Sequence, residues 1–263
     1  MSITRGPIAP LSRPPGGTLN FPLPESPKNL LFLHTLNPRL RAEVAGVTVV
    51  DTTRATLLHE TGYLPKWYFP IEDIRSDLLE PSDTKTYCPF KGDCRYWHLR
   101  VGERLVEDAF WEYAEPLPGA PPLAGLLAPD FAKFDRFLEE DEEVIGHPRD
   151  PFHRVDSRRS SRHVTVRAAG QVVAESTRAV ALYETEHAPR WYIPLEDIDH
   201  RFLVPSDTKT VCAYKGVATY WSVKVGDRVW TDAVWTYADP FLEALPTKGC
   251  ACILEEGIET EVR

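Results

Sequence analysis

The sequence predicts an all-β protein built as two tandem copies of one small antiparallel domain, and three observations predict it. First, Pro81-Ser82-Asp83-Thr84-Lys85-Thr86-Tyr87-Cys88-Pro89-Phe90-Lys91-Gly92 returns as Pro205-Ser206-Asp207-Thr208-Lys209-Thr210-Val211-Cys212-Ala213-Tyr214-Lys215-Gly216, an interval of 205 − 81 = 124 residues. Solenoid and propeller repeats span roughly 20–50 residues, whereas this interval is the size of an ordinary domain. Second, 24 prolines and 7 tryptophans in 263 residues point to many turns and short strands. Third, the apolar residues fall in short, β-branched, alternating runs bounded by turn residues.

Taken in order, residues 1–28 hold Pro14-Pro15-Gly16-Gly17 and Pro22, Pro24 and Pro27, and read as an arm that is disordered or draped over a neighbour. The first domain is expected over 29–140, a connector over 141–160, and the second domain over 161–263. Leu30 to His34 is apolar enough to be buried and has no evident second copy. Arg41 to Val50, with a turn at Ala45-Gly46, reads as a hairpin repeated from Thr165 to Ala174. Arg54 to Glu60 and Arg178 to Glu184 read as buried strands. Between Pro65 and Pro70, and between Pro189 and Pro194, only extended chain fits. Ile71-Glu72-Asp73-Ile74 and its copy Leu195 to Ile198 open short helical turns, expected to end near Pro81 and Pro205. Tyr220 to Trp230 is a hairpin about Gly226-Asp227, since Gly accepts positive φ at the first turn position. Phe131 to Phe137 supplies a last strand or a helix. The acidic run Glu139 to Glu143 reads as a solvated face. About half of the positions from Arg54 to Pro116 are identical in the second copy.

The net charge of −9 argues against holding nucleic acid through broad phosphate neutralisation. Five cysteines at irregular spacing do not form a disulfide framework and fit a reducing, cytoplasmic compartment. No apolar run approaches the roughly 18 residues of a membrane-spanning helix. Oligomeric state is not legible.

Polar residues kept in both copies are tied to something both copies do. They include Arg54/Arg178, Glu60/Glu184, Asp73/Asp197, Ser82/Ser206, Thr84/Thr208, Lys85/Lys209, Thr86/Thr210, Lys91/Lys215 and Asp108/Asp232, beside Tyr68/Tyr192 and other matched aromatics. On a strand, Ser82, Thr84 and Thr86 would face one side and line a pocket, while Lys85 on the other pairs with Asp73 or Glu60. Alternatively Thr-Lys-Thr is an ordinary strand, Asp83 a turn former and the aromatics core. The linking segment is dense in hydrogen-bonding groups, namely His147, Arg149, Asp150, His153, Arg154 and Asp156, and its prolines predict an ordered path between the domains. No metal or other cofactor is expected, because Cys94 and His98 become Ala218 and Ser222 and Cys250-Ala251-Cys252 is unmatched in the first copy. Loss of His98 also leaves Cys88 without a repeated base. The common glycine-loop, nucleophile-elbow and zinc-protease signatures are absent.

Tyr-x-Pro, Glu-Asp-Ile, Ser-x-Thr-Lys-Thr-x-Cys-x-x-Lys-Gly, Tyr-Trp-Ser, Gly-Asp and Trp-x-Tyr resemble the family catalogued as domain of unknown function 427, over about residues 40–260. The segment His147 to Asp156 resembles the connector of bacterial tandem members. The resemblance implies a β-tent-like fold of two small sheets, some relatives of which bind zinc or small ligands in aromatic pockets. The family is sometimes labelled nucleotidyltransferase-like, but no Gly-Ser with a spaced Asp-x-Asp is present to hold two metals. Three functions follow as expectations: binding of a small polar or anionic ligand in a pocket of each repeat; a transferase or hydrolase using the repeated lysines and carboxylates; or a structural pseudo-dimer without ligand.

Overall fold

The computed structural model describes Thr18, Asn20 and residues 29–263, so nearly all of the expected arm lies outside the described residues. The chain divides into two compact units, with the division falling between Asp150 and Pro151.

The first unit runs β1 (Leu31–Thr35), β2 (Leu40–Val44), β3 (Val47–Thr52), β4 (Thr56–Glu60), β5 (Lys66–Pro70), β6 (Leu79–Cys88), β7 (Gly92–Val101), β8 (Arg104–Glu112), β9 (Leu126–Pro129), β10 (Arg136–Glu139) and β11 (Glu142–Glu143). These form a seven-stranded sheet, ordered β1-β4-β5-β9-β8-β7-β6, and a four-stranded sheet, ordered β11-β10-β2-β3. The second unit repeats the plan with β12 (Val155–Arg159), β13 (Val164–Ala168), β14 (Gln171–Ser176), β15 (Val180–Glu184), β16 (Arg190–Pro194), β17 (Leu203–Cys212), β18 (Gly216–Val225), β19 (Arg228–Tyr237), β20 (Cys250–Ile253) and β21 (Ile258–Val262). Its sheets are ordered β12-β15-β16-β20-β19-β18-β17 and β14-β13-β21. Every pairing within them is antiparallel.

The period-2 geometry of a strand decides where the core sits. Trp67 and Phe69 of β5 point one way and, with Leu57, Leu99 and Phe110, bury against Leu40, Ala42, Val49 and Phe137 of the small sheet. Tyr68 points the other way, into a second cluster with Leu58, Cys94, Tyr113, Leu123 and Ala128. The large sheet therefore buries apolar side chains on both faces, and the face turned away from the small sheet carries the polar groups described below.

One expectation changes. The end of the expected connector is a strand: β12 pairs with β15 from Val155↔Glu184 to Arg159↔Val180, as β1 pairs with β4 from Leu31↔Glu60 to Thr35↔Thr56. Leu31 to Thr35 thus has its second copy in Val155 to Arg159, hidden because an edge strand tolerates the polar sequence Val-Asp-Ser-Arg-Arg. The helical turns end near Pro81 and Pro205, at Leu78 and Phe202. The 3-10 turns Ile71–Asp73 and Ser76–Leu78 give way to β6 at Leu79, and Pro81 sits inside this edge strand, where no N–H is demanded of it.

Candidate functional site

On the face of the large sheet opposite the small one, the first unit has a cleft of about 580 Å³. Alternation along β4 and β5 places Leu58 and Glu60, then Lys66 and Tyr68, on this face. The strands beyond add Trp111, Tyr96 and Tyr87, and the loops add Tyr63, Leu64 and Tyr113. Lys91 enters from the tight turn between β6 and β7, where its N–H donates to Cys88 O at 3.2 Å. Gly92 follows at φ +106°, and a Cβ there would meet Glu115 O at 3.3 Å, so glycine is what lets the turn pass under that carbonyl.

The floor is an ion pair. Lys91 is buried and its ammonium contacts Glu60, whose other oxygen accepts Asn29 Nδ2 at 3.1 Å. The second unit repeats it, with Lys215 Nζ 2.5 Å from Glu184 Oε1 and both side chains about 5 % exposed or less. His153 stands where Asn29 does, its Nε2 3.3 Å from Glu184. Burial alone would raise the Glu184 carboxyl. His153, Lys215 and Arg190 outweigh it and hold the group down at about 2.

Aromatic groups wall the floor. Trp111 Nε1 donates to Tyr68 Oη at 3.4 Å, and Trp235 Nε1 to Tyr192 Oη at 3.0 Å. Lys66 Nζ lies 5.9 Å from the Trp111 ring centre, and the Arg190 guanidinium 5.8 Å from that of Trp235. Burial pushes the phenols of Tyr68, Tyr113, Tyr192 and Tyr237 up, so they stay protonated hydrogen-bonding groups. A buried thiol belongs to this wall in each unit, Cys94 from β7 in the first and Cys252 from β20 in the second. Burial pushes Cys94 up, and Cys252 up to about 12, leaving packing groups rather than nucleophiles.

Beside the cleft Asp108 adopts φ +48° and Asp232 φ +54°, strained values for non-glycine residues inside a sheet. The registers of β6 on β7 and of β7 on β8 both shift here. Ser82 and Thr84 donate to Asp108 at 2.5 and 2.9 Å, and Thr208 to Asp232 at 2.7 Å. The Asp108 N–H donates to His98 Nδ1 at 2.9 Å, and the Asp232 N–H to Ser222 Oγ at 3.1 Å. His98 and Ser222 thus do the same work, which their mismatch in sequence concealed.

Of the residues expected at a site, Glu60, Tyr68, Thr84 and Lys91 line the cleft. Glu184 and Lys215 form the matching floor, with Tyr192 on the same face. Ser82 and Thr84 hold Asp108 rather than offering their hydroxyls to a pocket, and Thr208 does the same for Asp232, with Ser206 alongside. Thr86 and Thr210 meet Tyr96 and Tyr220 Oη at 3.1 and 2.8 Å. The expected pairing of Lys85 with Asp73 or Glu60 is overturned: Lys85 and Lys209 are exposed, Lys91 has taken Glu60, and Asp73 belongs to Arg54 at 2.5 Å. Arg178 pairs with Asp197 in the same way at 2.6 Å, so both arginines clasp the sheet corner to the helical turn, away from the cleft. The linking residues split. Asp150 is buried against His59 in the first unit, where His147 donates to Pro148 O and Arg149 lies near Glu139. Arg154 and Asp156 pair in the second, where His153 reaches Glu184. Sequence reasoning missed Lys66/Arg190, which look like surface drift. Their signal was position, two residues before Tyr68 and Tyr192 on the same strand face.

Among the described residues no group of three His, Cys, Asp or Glu side chains converges as metal ligands, and no helix is long and apolar enough to cross a membrane. Comparison with curated proteins gives no match. Most of the duplicated sheet pair, with the repeated Lys-Gly turn and its buried carboxylate partner, falls within the two segments, 33–140 and 156–263, over which the chain belongs to the family described as a domain of unknown function (DUF427).

Proposed function

We propose that the protein binds a small polar ligand on the outer face of the large sheet, over the Glu–Lys floor. The observation that supports this reading is a buried ion pair, repeated without change, beneath a cleft walled by tyrosines and tryptophan. A buried pair is poor support for stability, because apolar residues of similar volume often serve as well or better. The first cleft is large enough for a metabolite and combines ring faces with ammonium donors, the mixture expected of such sites. The rival assignment of proton transfer to Lys85 or Asp73 loses its basis, since neither lines the cleft and Asp73 is held below the usual carboxylate range, chiefly by the Arg54 hydrogen bonds.

The test separates binding from scaffolding. Glu60→Gln or Lys91→Met alone leaves one buried charge uncompensated and is expected to cost about 3–5 kcal/mol. The double variant Glu60→Leu/Lys91→Met removes both charges and is expected to melt within a few degrees of wild type, yet to lose the stabilisation that a metabolite screen by thermal shift gives the wild type. Lys85→Met serves as the control and should change neither. A double variant that keeps its ligand response would defeat the proposal.

A further inference from the structure

The two floors are alike, but what stands over them is not. In the second unit Arg190 Nη1 donates to Glu184 Oε2 at 2.9 Å, its Nη2 lies 3.3 Å from His187 Nδ1, and its guanidinium covers Trp235. Tyr214 is buried and stacks on His153 at 4.3 Å between ring centres. In the first unit the matching residues are Lys66 and Phe90. Lys66 remains over Trp111, uncommitted to any carboxylate among the described residues, and Phe90 is 46 % exposed. The rim differs in the same sense: Tyr63, Leu64 and Tyr87 line the first cleft while 64, 56 and 64 % exposed, and His187, Ala188 and Val211 replace them. Large exposed apolar groups around a concave site mark a surface that is covered in use.

The charges narrow the ligand class. Each carboxylate of the first cleft already has a partner: Glu60 has Lys91, Asp108 has Ser82 and Thr84, and Asp130 has Lys133 at 3.4 Å. Lys66 is the remaining cation, placed at the edge of a ring platform. We infer that the first copy is the ligand-binding one and takes a small aromatic anion, its ring against Trp111 and the rim tyrosines and its carboxylate or phosphate on Lys66. In the second copy the Arg190 side chain fills that place. This rests on the proposed binding function and divides it between the copies.

Isothermal titration of the full chain with 4-hydroxybenzoate and AMP tests it, with acetate as anion without ring and phenol as ring without charge. One site per chain is expected, for at least one of the two aromatic anions and for neither control at comparable affinity. Lys66→Met should weaken binding about tenfold or more, and Arg190→Lys should leave it unchanged, because the second copy also lacks the rim tyrosines. Glu184 keeps Lys215 and His153 in that variant, so its fold is retained, and equal melting temperatures check this. Two wild-type sites, or binding indifferent to Lys66→Met and lost in Arg190→Lys, would overturn the division while leaving the binding function standing. Binding only of neutral or cationic compounds in a parallel thermal-shift screen would overturn the anion assignment alone. A wild type and Arg190→Lys that respond to nothing in either assay would overturn both.

Discussion

Glu184 shows how much of the site's chemistry resides in single residues. Its pKa is depressed from 4.5 to about 2, so the carboxylate contributes stability above its unfolded value, and that contribution is lost as pH falls from about 4.5 toward 2. The group is almost wholly buried, so the effect is large, on the order of 3 kcal/mol. Urea denaturation at pH 7 and pH 3 should therefore show wild type losing stability on acidification. Glu184→Gln should be less stable at pH 7, because Lys215 and Arg190 lose their counter-charge, and should have a flatter acid limb. An acid limb as steep as that of wild type would show that other carboxylates carry it. The pairing itself was only half legible. The sequence marks Lys85, Lys91, Glu60 and Asp73 as kept in both copies, but four kept charges allow several pairings, and burial decides among them. Lys91 is buried and precedes a glycine that draws the turn under a carbonyl, whereas Lys85 stands exposed on an edge strand.

Elements place these residues through their turns and bulges. Gly216 has φ +103°, and an added Cβ would lie 3.1 Å from Asp239 O, a backbone atom that cannot swing aside. Gly226 in the β18–β19 hairpin has φ +60° and open space around it. Gly226→Ala should therefore cost only the left-handed strain, about 1–2 kcal/mol. Gly216→Ala adds a backbone collision and should cost at least about twice as much. It should also displace Lys215 from Glu184. Chemical denaturation of the two variants checks the order, and equal losses would mean that the turn yields. Hairpins, buried strands and the proline-bounded β5 were readable because turn chemistry and alternation are local. The bulges at Asp108 and Asp232 were not, since an aspartate at positive φ inside a strand is held there by Ser82, Thr84 and His98 across the sheet. The strand β12 escaped notice because its support comes from β15 rather than from its own apolar content.

At the scale of the whole chain, duplication gives two units that each close their own cores, and the packing between their sheets has diverged. In the first unit Phe131 and Phe137 gather on Trp67 and stack on each other at 4.3 Å, and Phe134 lies 4.9 Å from Phe137. By register, Phe137, which faces Ala42 of β2, is matched in the second unit by Thr260, which faces Val166 of β13, while Phe69 and Phe110 become Ile193 and Val234. The small sheet has four strands in one unit and three in the other. Each aromatic side chain buries more apolar area than its replacement, and at about 25 cal/mol per Å² the first inter-sheet core gains more from burial. Calorimetry should accordingly resolve two transitions, the lower belonging to the second unit. Phe137→Ala, expected to cost about 3–5 kcal/mol, should lower only the upper transition, and Gly216→Ala only the lower. If either substitution moves both transitions together, the units do not unfold separately; if Phe137→Ala moves the lower one alone, the aromatic cluster does not make the first unit the more stable.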